Sequence, residues 1–207
     1  MTNEKKKKSA NTKAELLQAA YDVLIEHGFS GLSTRRIADV VGAPMSQIQY
    51  HFGSKEGMIL ALFEKMNARL LARQKDLFES PDLSISEQWD QACAFLDEDL
   101  SSGYVRILQE LVAAGWSNPV ICEAVKGGLD GWQELLTQAA ARADKELGPF
   151  GPFTAQEIAS LVSVAFLGAE SQILLGRERP EMPVRQALRK VGSLIRTLET
   201  VHSGGKA

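Results

Sequence analysis

Two glutamine side chains, Gln47 and Gln49, lie in a short polar stretch that contains no acidic residue. Glutamine amides can pair bidentately with adenine, while hydroxyl and methyl groups contact other base edges in the major groove of DNA. Met45, Ser46 and Tyr50 complete a polar and aromatic face that could enter this groove. The residue types therefore favour recognition of a base sequence, although an ordinary two-helix corner can show the same spacing.

Residues 33–55 predict two short helices joined by a tight turn, and these elements must position the polar face. Ile37 belongs to the apolar side of the first helix, and Gly42 can adopt the left-handed conformation that ends a helix. Pro44 stands at or beside the first position of the second helix, where its missing N–H costs little. Ile48 is expected to anchor that helix inward.

The pattern around these two helices extends over roughly residues 12–63. It includes Gly28-Phe29, Ile37-Ala38, Gly42 and the run Tyr50-His51-Phe52-Gly53-Ser54-Lys55-Glu56. This combination resembles the N-terminal domain of the TetR family of bacterial transcriptional regulators. The chain departs from the family at Gln49, where a tyrosine is usual, and at Met45, where a basic or small residue is common. The operator sequence of a relative therefore does not transfer to this chain.

The resemblance also implies which side chains contact DNA. Base contacts are expected at Arg35, Met45, Ser46, Gln47 and Gln49, and phosphate contacts at Thr34, Tyr50, His51 and Lys55. Phosphate contacts position a protein on the duplex, whereas contacts with base edges specify the sequence.

Composition favours an all-α fold of about nine helices. The chain has 207 residues, of which 44% are hydrophobic and 24% charged, and only 7 are proline. We predict an N-terminal three-helix DNA-binding domain with a helix-turn-helix over residues 1–53. Residues 54–207 would form a larger helical domain for ligand binding and dimerisation.

Charge is distributed unevenly between the two ends of the chain. Residues 1–75 contain 12 Lys and Arg against 7 Asp and Glu, whereas the remainder contains 11 against 19. A basic N-terminal region on an acidic body is typical of a DNA-binding protein whose other part binds something else. The run at residues 5–8 adds four lysines, for which a solvated, disordered tail is favoured over an arm along the phosphate backbone.

The remaining signals favour a cytoplasmic protein with no membrane partner. Cys93 and Cys122 fit no metal or redox spacing and are expected to be buried thiols in a reducing compartment. No apolar run is expected to span a membrane, and the charged N-terminus is not followed by the apolar segment of a signal peptide.

Several helix boundaries can be predicted from capping residues. Capping boxes beginning at Thr12, Ser84 and Thr154 should each start a helix, and Ser54 should cap another that runs to about Phe78. A long helix from Asn118-Pro119 contains Gly127, Gly128 and Gly131, which are expected to bend or loosen it.

The last two predicted helices suggest a homodimer. Apolar residues of the last helix alternate spacings of four and three, as in a coiled-coil seam, although a core stripe within one subunit would look similar. The resemblance implies pairing through the last two helices. The predicted seam contains Leu161, Ala165, Val184, Leu188, Val191, Ile195 and Leu198.

The C-terminal region is also expected to enclose a small apolar or aromatic effector. Candidate pocket residues are Met66, Trp89, Phe95, Trp116, Trp132, Phe166 and Glu170, although aromatic residues at helical spacing are usually core and the carboxylate could serve structure alone. No catalytic or metal constellation is recognisable, and neither a cofactor nor enzymatic activity is expected.

These observations predict a ligand-responsive DNA-binding regulator, a repressor that binds a palindromic operator of double-stranded DNA as a dimer. The alternative is a helical small-molecule-binding or interaction protein with no DNA role. An enzyme is a third class, for which the sequence offers no support.

Overall fold

The computed structural model describes residues 3–204, with side chains for residues 9–28 and 30–203. Over residues 3–204 the chain is all-α, as predicted, and β pairing in that range is limited to one isolated bridge between Arg179 and Met182. The helices are α1 (Asn3–Gly31), α2 (Thr34–Val41), α3 (Ser46–Phe52), α4 (Lys55–Phe78), α5 (Ile85–Ser101), α6 (Tyr104–Gly115), α7 (Pro119–Leu147), α8 (Ala155–Leu174) and α9 (Val184–Gly204).

Helix α1 begins earlier than the capping pattern predicts. Its backbone is helical from Asn3, so Thr12 lies inside the helix and the predicted cap there is wrong. The carboxylate of Glu15 instead accepts a hydrogen bond from the Asn11 amide at 2.6 Å. The expectation of a disordered tail at residues 5–8 is wrong for the backbone, while the lysine side chains lie outside the described residues. Gly28 interrupts α1 with φ 68°, a left-handed conformation that glycine adopts without strain.

The chain divides into two compact units by its contacts. The first contains Met1–Ala68 and Ile107–Val125, and the second contains Arg69–Arg106 and Lys126–Ala207. The functional division after residue 53 stays a prediction. The core of the first unit includes Leu16, Ala20, Leu24, Ile37, Ile48, Met58, Ile59, Leu62, Phe63, Leu111 and Ile121, all of them buried.

Helices α2 and α3 are joined by the predicted tight turn. Ser33 caps α2 by accepting a hydrogen bond from the Arg36 N–H at 3.1 Å. Gly42 ends α2 with φ 66° and ψ 27°, a conformation that residues with a Cβ rarely adopt. Pro44 precedes α3 by two residues, and its carbonyl accepts from the Gln47 N–H at 2.9 Å. These local bonds form the helix-turn-helix.

In the second unit, α9 packs along α5 and is held by charged pairs. Asp97 of α5 accepts from Arg185 at 2.6 Å and from Arg189 at 2.7 Å. Near the other end, Glu199 accepts from both the backbone N–H and the hydroxyl of Ser86, at 2.8 and 2.7 Å. The two helices therefore keep a defined register.

The C-terminal end of α4 is fixed by two side chains from other helices of the same unit. Arg142 of α7 donates to the carbonyls of Phe78 at 3.3 Å, Ser80 at 2.9 Å and Leu83 at 3.0 Å. Gln88 of α5 donates to two of the same carbonyls, those of Phe78 at 3.5 Å and Ser80 at 3.3 Å. Carbonyls at a helix end have no intrahelical partner, so these side chains satisfy them.

The other capping predictions are confirmed. Ser84 and Thr154 form reciprocal capping boxes with Glu87 and Glu157, and the Ser54 hydroxyl accepts from the Gly57 N–H at 3.0 Å. Helix α7 runs without interruption from Pro119 to Leu147, and a bend or loosening at its glycines stays a prediction.

Helix α8 is long and apolar enough to cross a membrane, by length and composition alone, and it is the one described helix of this kind. This corrects the expectation that no segment reaches such a length. Of its apolar side chains, Leu161 and Val164 are exposed, whereas Phe166 and Ala169 are buried. An apolar helix of a subunit interface has the same composition, so the signal does not distinguish a span from an interface.

Candidate nucleic-acid interface and apolar cavity

The outer face of α3, defined as Met45, Ser46, Gln47, Gln49 and Tyr50, is open to solvent. Met45 is 56% exposed and Tyr50 is 68% exposed, and Ser46 and Gln49 are also exposed. Gln47 is half-buried, whereas Ile48 on the opposite side is buried in the core. Apart from Ile48, α3 thus presents polar and aromatic groups with no acidic residue that would repel phosphates.

The predicted contact residues outside this face differ in their surroundings. Arg35 is exposed and lies 4.0 Å from the Asp39 carboxylate one turn later. Thr34 and Lys55 are half-buried at the first positions of α2 and α4. The Nε2 atom of His51 is buried without a hydrogen-bond partner, so this atom cannot contact a phosphate in the present arrangement.

Gly57 positions the start of α4, a role that the sequence analysis missed. A Cβ atom at this position would lie 2.1 Å from the Phe52 carbonyl oxygen at the end of α3. Only glycine therefore permits this close approach of α4 to α3. The sequence did contain a signal for this close approach, namely a glycine three residues after the predicted N-cap Ser54.

A second candidate site is an apolar cavity of about 290 Å³ within the second unit. Its wall is built from α4, α5, α7, α8 and α9. The lining residues are Gln74, Phe78, Ile85, Gln88, Trp89, Ala92, Trp132, Leu136, Ala139, Ala140, Ala143, Leu147, Phe150, Ile158, Ala159, Leu161, Val162, Phe166, Val191 and Ile195. Such a cavity can enclose a small apolar molecule.

Three of the predicted pocket residues come together in this wall. The Phe166 ring meets the Trp89 ring edge to face at a centroid distance of 5.7 Å and the Trp132 ring at 5.8 Å. Both distances fall within the favourable range for aromatic pairs. The indole N–H of Trp89 donates to the Leu188 carbonyl at 2.7 Å, which fixes that ring.

The other four predicted pocket residues do not line the cavity. Trp116 is 84% exposed, and Met66 is half-buried in the first unit. Phe95 lies under the Arg73 guanidinium at 4.0 Å, in a cation–π contact. Glu170 is buried but absent from the cavity wall. Aromatic type and helical spacing alone do not tell on which side of a helix a ring lies.

Charged side chains of α4 and α5 near Phe95 form a cluster outside the cavity. Arg73 binds Asp99 at 2.6 Å and Glu98 at 3.0 Å. Burial raises the pKa of the Asp99 carboxyl, and the Arg73 charge only partly offsets this. Burial also raises the pKa of the Tyr104 hydroxyl above its usual range. Fixed ion pairs of this kind are structural groups rather than reactive ones.

Residues of the predicted seam separate into two sets. Leu161, Ala165 and Leu198 are exposed, whereas Leu188 is buried and Val184 is half-buried. Val191 and Ile195 line the cavity, as does part of Leu161. Further exposed apolar residues on the two helices are Val164, Leu174, Leu175, Leu194 and Val201. The exposed apolar face of α9 is therefore centred on Leu194, one residue from the predicted stripe.

Within the described residues, no group of three or more His, Cys, Asp or Glu side chains is arranged to hold a metal ion. Cys93 and Cys122 are free thiols, and Cys93 is buried while Cys122 is only half-buried. Burial raises the pKa of the Cys93 thiol to about 11, which disfavours the reactive thiolate.

Comparison with known proteins identifies the N-terminal segment. Residues 16–62 match the sequence model for bacterial regulatory proteins of the TetR family. The transcriptional repressor AcnR of Corynebacterium glutamicum is 36% identical over 63 residues, which cover 30% of this chain and 34% of AcnR. The transcriptional regulator CymR of Pseudomonas putida is 32% identical over 126 residues, 58% of each chain. The chain thus spans about a third of AcnR and less than two thirds of CymR.

The fold as a whole resembles a solved structure. E. coli NemR in its reduced form superposes with a TM-score of 0.71 at 19% identity, covering 88% of this chain and 95% of NemR. This similarity shows the fold alone.

Proposed function

Because residues 16–62 match the sequence model for regulatory proteins of the TetR family, we propose that the protein is a cytoplasmic transcriptional repressor. It binds an inverted-repeat operator as a homodimer and is released by a small apolar effector. The observation that carries this proposal is the exposed outer face of α3, which follows a capped helix and a tight turn and contains no acidic residue.

The proposed interface divides its contacts by chemistry. Arg35 and the outer face of α3, except Tyr50, contact base edges, and the amides of Gln47 and Gln49 suit adenine. Thr34, Tyr50 and Lys55 contact phosphates and fix the position of the reading helix. Lys55 begins α4, where the helix dipole favours an anion. A phosphate contact by His51 would require the ring nitrogen other than Nε2.

The proposed dimer seam follows the exposed apolar residues of α8 and α9. Leu161, Val164, Leu194, Leu198 and Val201 are all at least 45% exposed, which is unfavourable for a face left in water. A second copy of the chain would bury them in a two-fold interface. Two reading helices related by this symmetry explain why the operator would be an inverted repeat.

The response to an effector depends on α4. This single helix begins with Lys55 and contributes Gln74 and Phe78 to the cavity wall. A ligand that displaces the wall displaces α4 and changes the spacing of the two reading helices. Coupling of this kind is typically worth about 1–3 kcal/mol and is reciprocal, so operator DNA weakens the ligand by the same factor.

The decisive experiment is selection of the preferred DNA from a random duplex pool by the purified full chain. We expect an inverted repeat whose half-site centres lie about 34–36 Å or a multiple apart. Retention of no duplex at moderate salt would support the alternative of a small-molecule-binding protein without a DNA role. Equal retention of all duplexes would show DNA binding without base recognition and would refute the operator proposal.

Substitution of the two glutamines tests base recognition on the selected site. Alanine at whichever of Gln47 and Gln49 pairs with a base should cost roughly 1–3 kcal/mol and relax specificity at one position of each half-site. The exposed Gln91 of α5 provides a matched control, Gln91→Ala, that should leave binding unchanged. Equal losses on selected and random DNA would show that neither glutamine contacts a base.

A further inference from the structure

Among the side chains that the structure describes, none that lines the cavity is charged. Every lining residue is apolar or aromatic except Gln74 and Gln88, and the only other polar atoms of its side chains are the indole nitrogens of Trp89 and Trp132. A charged ligand group would lose its hydration here without gaining a counter-ion, which is strongly unfavourable. The wall therefore selects an uncharged molecule.

Two of these four polar side chains already have partners. The Gln88 amide N–H donates to the carbonyls at the end of α4, at 3.5 Å to Phe78 and 3.3 Å to Ser80. The Trp89 indole N–H donates to the Leu188 carbonyl at 2.7 Å. These hydrogen bonds hold the wall in place, so the two donors are already used within the protein.

The other two have buried atoms without any hydrogen-bond partner. They are the amide oxygen of Gln74, whose side chain is only 6% exposed, and the indole nitrogen of Trp132. Gln74 supplies an acceptor and Trp132 a donor. A buried polar group without a partner is unfavourable and calls for an explanation. Both atoms are covered by neighbouring groups in this structure, so a ligand that bonds both must turn the two side chains towards it.

The volume of the cavity limits the size of this ligand. A cavity of about 150 Å³ lined by apolar side chains binds benzene in another protein. The present cavity is about 290 Å³, roughly twice as large. It therefore matches a molecule with two fused rings or an aliphatic equivalent, on the order of 10–12 non-hydrogen atoms by that comparison.

We propose that the cavity binds an uncharged, largely apolar molecule of this size that carries one hydroxyl group. The hydroxyl donates to the Gln74 amide oxygen and accepts from the Trp132 indole N–H. A hydroxyl suits this site because it can donate and accept at once, and it still pairs if the glutamine amide turns over. This assignment rests on the proposed function only in taking the cavity as the effector site.

Three compounds of matched shape test the assignment: naphthalene, 2-naphthol and 2-naphthoate. Their dissociation constants are measured by equilibrium dialysis with the full chain at neutral pH and without DNA. We expect 2-naphthol to bind about tenfold more tightly than naphthalene, as one or two satisfied hydrogen bonds allow. The carboxylate of 2-naphthoate should weaken binding by at least tenfold relative to 2-naphthol.

Variants of the two unpaired groups show whether they recognise the hydroxyl. In Gln74→Leu and Trp132→Phe, the affinity ratio of 2-naphthol to naphthalene should fall from about ten towards one. Binding of naphthalene itself should change by less than about threefold, which also shows that the cavity is intact. A matched control is Gln133→Leu, since the Gln133 amide binds Ser160 outside the cavity at 3.1 Å, and its ratio should stay at about ten.

The possible outcomes separate the two proposals. Equal affinities for naphthalene and 2-naphthol, tightest binding by 2-naphthoate, or an unchanged ratio in both variants would overturn the hydroxyl assignment. Binding of none of the three compounds would overturn it as well. None of these measurements involves DNA, so a selective cavity in a protein that selects no operator would refute the proposed function and leave the ligand chemistry standing.

Discussion

The side chains of the outer face of α3 contribute little to the core, whereas those of the cavity wall are part of it. On α3, the proposed functional side chains project into solvent, and only Ile48 contributes to the core. In the cavity, Phe166 and Leu136 are buried, and Trp89 is fixed by a hydrogen bond, so the same side chains hold the helices together and would contact a ligand. Substitutions on the outer face of α3 should therefore leave stability unchanged, whereas substitution of the apolar side chains of the cavity wall should also reduce stability.

The largest expected effect concerns a third surface, which is exposed like α3 but apolar like the cavity. Leu194→Glu places a charge at the centre of the exposed face of α9, where Leu194 is 67% exposed. The variant should fold but become monomeric, with operator affinity lower by about 10²- to 10⁴-fold because the two half-sites are no longer linked. Sedimentation and DNA titration measure both properties.

A matched substitution on the same helix is Gln186→Glu, which adds a charge at an exposed position away from the apolar face. It should remain dimeric. The proposal that the operator is bound by a dimer fails if Leu194→Glu is monomeric and still binds the operator at full affinity. The proposed seam fails if the variant stays dimeric. Ile195→Glu is a poorer test because Ile195 lines the cavity.

A substitution at Gly57 should reduce both the stability of the fold and the affinity for DNA. Gly57→Ala forces a Cβ against the Phe52 carbonyl oxygen, so the free energy of unfolding should fall by about 1–3 kcal/mol. DNA affinity should fall with it, because α3 must shift. Chemical denaturation and DNA titration on the same preparation provide the measurement.

Gly127→Ala is the control for this glycine, since it is also helical but has nothing within 4 Å of an added Cβ. Here alanine should stabilise by about 0.5–1 kcal/mol, as expected for a helix interior. Similar effects of the two substitutions would show that the close approach at Gly57 does not constrain α3.

Lys55→Ala should reduce DNA binding and leave the stability of the fold nearly unchanged. If Lys55 contacts a phosphate, its loss weakens binding about equally for all sequences and lowers the salt slope by roughly one unit. Unfolding should change little. Lys145→Ala, an exposed lysine of α7, is the control and should leave the slope unaltered. An unaltered slope in Lys55→Ala would remove this residue from the interface.

The smallest expected effect is a pH dependence at the start of α8. Hydrogen bonds from the backbone N–H and hydroxyl of Thr154 lower the pKa of Glu157 below its ordinary value of 4.5. The ionised Glu157 carboxylate therefore stabilises the folded chain fully above pH 4.5, and this stabilisation is lost as the pH falls through the lowered pKa.

Glu157→Gln keeps the shape of the capping box and removes the charge. Its melting temperature should consequently depend less on pH below about 4.5 than that of the wild type. Glu64→Gln, at an exposed position of α4, should retain the wild-type dependence. A variant at Glu157 that loses stability in acid as steeply as the wild type would show that the box contributes no pH dependence.

Local patterns predicted the fold well where bonding is local. The caps at Ser84 and Thr154 depend on residues three apart in sequence, and both are present. At Thr12 the same capping pattern does not start a helix. It lies inside α1, because good helix formers extend that helix towards the N-terminus. The glycines of α7 are likewise tolerated, since its other residues and the packing of its buried face keep the helix intact.

The cavity could be predicted only in part. Of the predicted pocket residues, Trp89, Trp132 and Phe166 line the cavity, whereas Trp116 is exposed. Gln74 was missed, because a polar residue on a helix is usually exposed and only tertiary packing shows that its amide is buried. A related limit applies to the predicted seam. Ile195 lines the cavity, and a stripe of four and three spacings does not say which neighbour it contacts.

Arg142 and Gln88 share the carbonyl acceptors at the end of α4, and this arrangement is redundant. Loss of either side chain still leaves the Phe78 and Ser80 carbonyls with a donor, whereas loss of both leaves them with neither. The two substitutions should therefore be more harmful together than the sum of their separate effects. A survey of single replacements would rate each residue as dispensable and overlook the pair that closes one wall of the cavity.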